Sequence, residues 1–233
     1  MTTFILVHGA WHGGWCWERL ASQLAGTGAT ILTPTLTGLG ERAQLLTPAV
    51  GLQTHIDDVV QVLESQDLRD VVLVGHSYSG MVVTGVAARV PARLARLVYL
   101  DAVVPQDGQC LFDRTGPKFR SGIDEQVAAH GEGWRIPPAP PEFLGLSASA
   151  DIDWVMPRLV PHPYRAFCDP VQLPTHPGAA VRRTYINCIG SKPRGGPRAA
   201  QAEGIEDYHE LSTGHDAMVT APVELAALLG ALS

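Results

Sequence analysis

The sequence predicts an α/β fold in which a mostly parallel sheet of about six strands is covered by helices on both faces. Short apolar runs rich in β-branched residues, typical of buried strands, alternate with segments whose apolar residues recur at helical spacing. Between residues 104 and 182 this alternation stops, and 12 of the 18 prolines lie there. We therefore predict an α/β core formed by residues 1–103 and 183–233, with residues 104–182 inserted as a cap of short helices and loops.

The amino-terminal part of the chain alternates strands and helices from its start. Residues 4–7 are predicted as a buried strand, the glycine-rich stretch 8–14 as a loop, and residues 15–24 as a helix. Residues 30–33 follow as a second strand, and residues 52–64 as an amphipathic helix. Such alternation favours parallel strands joined by helical crossovers.

The most informative stretch is residues 71–80, VVLVGHSYSG. Four apolar residues, three of them β-branched, indicate a fully buried strand. The next residues match the motif G-x-S-x-G except that Ser79 takes the last position and Gly80 comes one later. A helix is predicted over residues 81–88, which places Ser77 between a buried strand and a helix, as in a nucleophile elbow. The alternative is that Ser77 only caps that helix.

The remaining elements are predicted in the same way. A strand over residues 97–100 ends at Asp101, and two later strands cover residues 184–189 and 207–211. A final helix over residues 222–232 has Pro222 in its first turn and Thr220 as its expected cap. Within the insertion, a helix over residues 151–159 is expected to end or kink at Pro157.

Composition excludes several classes of function. The 233 residues are 45% hydrophobic and 17% charged, which suits a folded domain with a sizeable core. A net charge of −6 argues against nucleic acid or an anionic membrane as a partner. The four cysteines show no C-x-x-C spacing, and neither a leader peptide nor a membrane-spanning run is evident. We expect a cytoplasmic protein without a metal, acting on a small molecule and open to homodimer formation.

Several polar or glycine residues fall at or just after the carboxyl ends of the predicted strands. They are Ser77, Gly9 with Ala10, Asp101, Ser191 and His215. Ligands of parallel sheets bind at that edge.

A serine hydroxyl needs a base, and His215, in the loop after the last strand, fits the chain order Ser, acid, His. The backbone N–H groups of Ala10 and Tyr78 are the candidate donors to an oxyanion, with Gly9 allowing close approach. His12, in the same loop as Ala10, is a candidate substrate contact.

Three motifs together resemble the α/β-hydrolase superfamily. They are residues 4–15 (FILVHGAWHGGW), residues 75–77 (GHS) and residues 214–218 (GHDAM). Within that superfamily the chain resembles the plant methylesterase and hydroxynitrile lyase group and its bacterial esterase relatives. The resemblance implies an α/β-hydrolase fold with a cap, no cofactor, and Ser77 and His215 as catalytic residues. The lyases typically carry threonine where this chain has Gly9, and lysine where it has Asp216, so both departures favour ester hydrolysis over cyanohydrin cleavage.

The acid of a catalytic triad is not where the resemblance would place it. The expected aspartate position after strand 184–189 is occupied by Ser191. Asp101 is one alternative, although its other interpretation is a structural aspartate that caps a turn. Asp207 or Glu203 is a second alternative, and the third is that no acid is used.

The leading hypothesis is therefore a serine carboxylic ester hydrolase that acts through an acyl-enzyme on Ser77, with Asp101 as the candidate acid. The low charge of the insertion and its aromatic and apolar residues suggest a lipophilic or aromatic substrate, and the alternative is that most of these residues form the core of the cap. They are Trp134, Phe143, Trp154, Met156 and Phe167, of which Trp134 and Trp154 are the candidate substrate contacts. The alternatives are a non-hydrolytic or ligand-binding protein with an incomplete triad, motivated by Ser191, and a hydroxynitrile lyase.

Overall fold

A computed structural model of the chain describes residues 2–174, 181–190, 202, 204–205 and 207–232. Its main sheet has six strands in the order β2-β1-β3-β4-β7-β8, and every neighbouring pair is parallel. The predicted parallel α/β sheet is confirmed. The strands of this sheet are β1 (Thr3–Val7), β2 (Thr30–Leu32), β3 (Val71–His76), β4 (Leu94–Leu100), β7 (Arg182–Cys188) and β8 (Asp207–Leu211).

The central strand β3 is buried along its whole length, as its continuous apolar run predicts. Its register pairs Leu73 with Ile5 of β1 on one side and with Leu97 of β4 on the other. Because the strands are parallel and in register, β1, β3 and β4 end at the same edge of the sheet. The residues that follow these three strands are therefore brought together.

Helices cover the two faces of the sheet in pairs. Helix α1 packs against α10, and α2 packs against α3. Right-handed crossovers place α1 on one face and α2 and α3 on the other, because the chain moves outward from β1 to β2 and then back across the sheet. The bounds of these helices are α1 (Glu18–Ala25), α2 (Leu52–Ser65), α3 (Ser79–Arg89) and α10 (Pro222–Ala231).

The stretch between β4 and β7 is built mainly of helices and loops. The longest helix among its described residues, α5, begins at Pro117, a residue whose fixed φ suits the first helical turn. Two short antiparallel strands, β5 (Arg135–Ile136) and β6 (His162–Pro163), also occur here and were not predicted. The helices are α4 (Leu111–Thr115), α5 (Pro117–His130), α6 (Pro141–Leu144), α7 (Ser149–Val155) and α8 (Arg165–Cys168).

Two helix starts differ from the sequence prediction, whereas the break expected at Pro157 is present. The helix expected from residue 15 opens with a 3-10 turn, Gly14–Trp17. The helix expected over residues 151–159 changes to a 3-10 turn, Met156–Arg158, at its proline. Thr220 does not cap α10, because it ends the short helix α9 (Ala217–Thr220) and its hydroxyl bonds Asp216 O and Thr213 Oγ1. In the part of the chain that the structure describes, no helix has the length and apolarity to cross a membrane.

Candidate active site

The turn between β3 and α3 holds Ser77 in a strained backbone conformation. Its φ is +55°, in the left-handed region that non-glycine residues rarely adopt. The backbone is fixed on both sides, since Ser77 N donates to Leu100 O at 3.1 Å and Val103 N donates to Ser77 O at 3.0 Å. Such strain costs of order 1–3 kcal/mol and persists where the surroundings determine it. The serine therefore stands on a rigid turn at the sheet edge, as the strand–serine–helix pattern predicts.

The departure of this turn from G-x-S-x-G has a packing explanation. A Cβ atom on Gly80 would lie 1.9 Å from Val103 O, so the close approach that demands glycine falls at residue 80. Ser79, at the motif's last position, is buried and donates its hydroxyl to His8 O. This hydrogen bond ties the turn to the loop after β1.

His215 lies beside the serine, in the loop after β8. Its Nε2 is 2.8 Å from Ser77 Oγ, and the residue is only 2% exposed. A hydrogen bond to the end of β3 fixes this loop, since His76 Nε2 donates to His215 O at 3.0 Å. Serine and histidine are thus in direct hydrogen-bond contact although 138 residues separate them in the sequence.

The other ring nitrogen of His215, Nδ1, contacts the carboxylate of Asp101. Its Oδ2 lies 2.6 Å from His215 Nδ1, and the side chain is completely buried. Asp101 directly follows β4, the neighbour of β3, and its N donates to Ile186 O at 2.8 Å. Its φ of +44° is also left-handed. Ser77 Oγ, the His215 ring and the Asp101 carboxylate therefore form one continuous chain of hydrogen bonds.

The other acid candidates lie elsewhere or are not described. Asp207 begins β8, at the amino end of that strand and away from the serine, and it bonds Thr184 at 2.8 Å and His209 at 2.9 Å as well as Arg96. Ser191 and Glu203 lie outside the residues that the structure describes. Asp216, the next residue after His215, bonds His12 through its Oδ2.

The loop over residues 8–14 lies directly against the turn that carries Ser77. A Cβ on Gly9 would be 2.9 Å from His76 Nδ1 and 3.1 Å from Ser77 Cβ, so this contact requires glycine. Ala10 and Tyr78 are both buried beside the serine. Within the described residues, no hydrogen bond engages the backbone N–H of either one. Both N–H groups are therefore free of partners in that part of the chain, as the prediction of oxyanion donors requires.

Three predicted substrate contacts have other surroundings. His12 is buried and uses both ring nitrogens inside the protein, bonding Ala10 O at 2.7 Å and Asp216 Oδ2 at 3.1 Å, which leaves none for a substrate. Trp154 packs on Trp15 with ring centroids 5.3 Å apart and lies under two guanidinium groups. Trp134 lies under the guanidinium of Arg135. An aromatic residue of the same segment that does lie beside His215 is Phe143, with the two ring centroids 6.4 Å apart.

Phe143 belongs to a cluster of rings contributed by the core loops and by the insertion. The centroids of neighbouring rings are 4.7 to 6.5 Å apart. Two examples are Trp11 with Phe143 and Tyr78 with Phe167, each at 5.6 Å. Two members, Phe119 and Phe143, are only partly buried. Of these residues the sequence had singled out Phe143, Phe167 and Tyr78. The cluster comprises Trp11, Tyr78, Phe112, Phe119, Phe143, His162 and Phe167.

Several histidines around the site are buried in the neutral form. Burial lowers the pKa of His8 to about 3, and burial together with nearby His215 lowers that of His76 to about 3. Burial also lowers the pKa of His55 to about 4. The hydrogen bonds agree, since one nitrogen of His55 bonds Thr37 O and the other the Tyr78 hydroxyl, a pattern that a neutral ring satisfies.

These buried histidines make the fold sensitive to mild acid. A histidine whose folded pKa is lowered binds its proton more readily in the unfolded chain, so stability falls as the pH drops below the unfolded value of 6.5. Burial lowers the pKa of His162 in the same way, so between pH 6.5 and 5.5 each of these four histidines should remove about 1 kcal/mol from the free energy of unfolding, about 4 kcal/mol together. Urea unfolding across this range should measure that fall.

The matched variant for this measurement is His55→Gln. Glutamine can bond both Thr37 O and the Tyr78 hydroxyl but does not titrate. The fall in unfolding free energy between pH 6.5 and 5.5 should therefore shrink by about 1 kcal/mol. An unchanged fall in the variant would contradict the assignment of His55 as a buried neutral ring.

One group of side chains near the site has the types and spacing of metal ligands. Ligand atoms of His76, His215 and Asp216 lie within 4.8 Å of one another. Both nitrogens of His215, however, already contact Ser77 and Asp101, and Asp216 bonds His12. We therefore assign no metal to this group.

Comparisons with known proteins extend over the whole chain. A family model described as the alpha/beta hydrolase family matches residues 4–228. A carbendazim hydrolyzing esterase from a Nocardioides species is 40% identical, with 100% of each chain covered. The crystal structure of the Arabidopsis methylesterase MES16 has 26% identity and a TM-score of 0.76, covering 100% of this chain and 99% of its own. An extracellular alpha/beta-hydrolase from a Paenibacillus species, 24% identical with 98% of each chain covered, supports the fold alone with a TM-score of 0.88.

Proposed function

Because the chain belongs to the α/β-hydrolase family and is a carboxylesterase-type hydrolase, we propose that it cleaves a small lipophilic or aromatic carboxylic ester through an acyl-enzyme on Ser77. The observation that carries this proposal is the hydrogen-bonded chain from Ser77 Oγ through His215 to Asp101, with contacts of 2.8 and 2.6 Å. A nucleophile within hydrogen-bond reach of a base, which is in turn oriented by a third group, is the arrangement that nucleophilic catalysis needs.

In the first half of the reaction, Ser77 attacks the ester carbonyl carbon. His215 Nε2 takes the hydroxyl proton as the new C–O bond forms, and the carbonyl electron pair moves to the oxygen. The backbone N–H groups of Ala10 and Tyr78 stabilise that oxyanion, which is worth most in a site that excludes water. When the intermediate collapses, the His215 proton passes to the departing alkoxide, and the acyl group remains on Ser77.

The second half of the reaction repeats these steps with water. His215 removes a proton from a water molecule that attacks the acyl carbon, and then returns that proton to Ser77 Oγ as the carboxylic acid leaves. Throughout both halves, Asp101 accepts the hydrogen bond from His215 Nδ1–H and stabilises the transient imidazolium. Its complete burial strengthens that electrostatic interaction.

The surroundings of the serine support an apolar substrate. Phe143 lies beside His215, and Trp11 and Tyr78, the neighbours in sequence of Ala10 and Ser77, belong to the same aromatic cluster. Flat aromatic groups pack well on such rings. The similar proteins point the same way, since one is named as a carbendazim hydrolyzing esterase and another as a methylesterase. We therefore propose an aromatic or lipophilic acyl group joined to a small alcohol such as methanol.

A substrate panel with a covalent probe tests this proposal. We expect hydrolysis of p-nitrophenyl acetate, of methyl esters of aromatic acids, and of carbendazim, an aromatic methyl carbamate, with poorer rates for charged aliphatic methyl esters. A fluorophosphonate should label one residue per chain, and peptide mapping should place the label on Ser77. Absence of both hydrolysis and labelling would refute the proposal, whereas labelling without hydrolysis of the panel would refute only the substrate class.

A further inference from the structure

His12 and Asp216 form a buried pair close to the proposed catalytic groups. His12 belongs to the loop over residues 8–14, which carries Ala10, and Asp216 directly follows His215. His12 Nε2 lies 3.1 Å from Asp216 Oδ2, and the two side chains are 1% and 0% exposed. The pair therefore joins the loop that offers an oxyanion donor to the loop that offers the base, across 204 residues of sequence.

The hydrogen-bond partners of His12 define its charge. Its Nδ1 is 2.7 Å from Ala10 O, a carbonyl, and its Nε2 faces the carboxylate of Asp216. Carbonyl and carboxylate oxygens only accept hydrogen bonds, so both ring nitrogens must carry a proton. His12 is then an imidazolium and Asp216 a carboxylate.

Electrostatics agrees with that charge state. Burial alone would lower the pKa of His12, but the charge and hydrogen bond of Asp216, with the Ala10 carbonyl, outweigh it and raise the pKa. Burial would likewise raise the pKa of Asp216, but His12 outweighs it and lowers the pKa. Other titratable groups face the pair from the loop after β1, the turn Gly14–Trp17, β3 and the loop of His215. They are His8, Cys16, His76 and His215.

The pair acts on backbone that must be held in place. Trp11, between Ala10 and His12, has a φ of +68°, which is rare for a bulky residue. Hydrogen bonds hold the carbonyl groups on both sides of this strained backbone. His12 Nδ1 donates to Ala10 O, and Val160 N donates to Trp11 O at 3.0 Å. On the second loop, Asp216 N donates to Leu144 O at 3.0 Å. Both ends of the pair are thus attached to fixed structure.

We propose that the His12–Asp216 ion pair is a positioning device that holds the Ala10 N–H and the His215 ring at their working separation. This inference rests on the proposed function of Ser77. Displacing reacting groups by about 1 Å can cost about 100-fold in rate. A buried pair suits this role because neither partner can leave it without exposing an uncompensated charge in the protein interior.

Single and double substitutions of the pair test the proposal. Asp216→Asn and His12→Gln each leave one buried charge unpaired, and we expect kcat to fall about 10- to 100-fold with KM changed less than about 3-fold. The double variant has two amides that can bond each other without charge, so its kcat should exceed that of either single variant. A purely structural pair would lower the midpoint of unfolding without this kcat loss or its rescue.

The matched control is Asp207→Asn, which breaks an ion pair with Arg96 away from the serine. It should lower the urea midpoint and leave kcat unchanged. Folded single variants with wild-type kcat, or a double variant slower than both singles, would overturn the proposal.

A measurement on the unaltered protein keeps the test valid if the variants do not fold. Nitrogen-15 NMR of the histidine side chains should show one imidazole that stays doubly protonated well above pH 6.5. Failure to find such a ring would overturn the proposal by itself. If the unaltered protein shows the doubly protonated ring but neither hydrolyses esters nor reacts with a fluorophosphonate, the proposed function fails while the charge state of the pair stands.

Discussion

Ser77→Ala is expected to lower kcat for ester hydrolysis by about 10⁴- to 10⁶-fold, since loss of the nucleophile in a serine hydrolase leaves only the contribution of the oxyanion donors and of binding. KM should change little, because the hydroxyl contributes one hydrogen bond, to His215, and no packing. The variant should remain folded, because Ser77 is anchored through its backbone N and O rather than through its side chain. Steady-state rates, with active-site titration to exclude wild-type contamination, measure the effect.

Ser79→Ala is the matched comparison, two residues further along the same turn. It removes the hydrogen bond to His8 O and no reacting group, so a loss of at most about 10-fold is expected. A second comparison uses the non-additivity of residues that act as a unit. The double variant Ser77→Ala/His215→Ala should be no slower than Ser77→Ala alone. If Ser77→Ala kept a tenth of the wild-type rate, or if the two losses multiplied, Ser77 would not be the nucleophile served by His215.

The parts of the site that the sequence predicted are those determined by local pattern and by chain order. A continuous apolar run before Gly75 predicts a strand buried on both faces, and the small residues after it predict a sharp turn. Position after the last strand was enough to choose His215 among nine histidines. Each of these inferences needs only the neighbours in sequence and the rule that parallel strands end at one edge.

The identity of the carboxylate beside His215 needs the order of strands in the sheet. Asp101 reaches the ring because β4 lies next to β3 and both end at the same level. Sequence alone shows that Asp101 ends a strand, but a strand one place further away would put the same residue out of reach. For this reason Asp101 could only be one of several candidates before the fold was known.

Side-chain direction inside the insertion was the least predictable feature. Trp134 and Trp154 were chosen as large aromatic residues, but each lies under arginine side chains rather than beside His215. The spacing of apolar residues does not predict which way a side chain points in short helices separated by prolines. Each proline ends the helical repeat, so the next helix starts in a direction that the preceding one does not determine. The partner of His12 was equally hidden, since Asp216 lies 204 residues away and nothing local links the two.

Asp101→Asn is expected to lower kcat about 10⁴-fold while the protein keeps its fold, as when the acid of a serine protease is neutralised. Asp101 Oδ2 accepts the hydrogen bond from His215 Nδ1–H at 2.6 Å. An asparagine NH₂ in place of Oδ2 would donate a hydrogen bond to Nδ1. The single proton of the neutral ring would then lie on Nε2, and a protonated Nε2 cannot accept the proton of Ser77. The ester hydrolysis rate should therefore recover in part at alkaline pH, where hydroxide favours loss of the serine proton.

Asp207→Asn separates this catalytic role from the general cost of losing a carboxylate. Asp207 bonds Arg96, Thr184 and His209 at the far end of β8, so its substitution should lower stability and leave kcat near the wild-type value. Fluorophosphonate labelling should slow in Asp101→Asn and stay normal in Asp207→Asn, because phosphonylation also needs the base form of His215 Nε2. Equal kcat values in the two variants would show that the base works without Asp101.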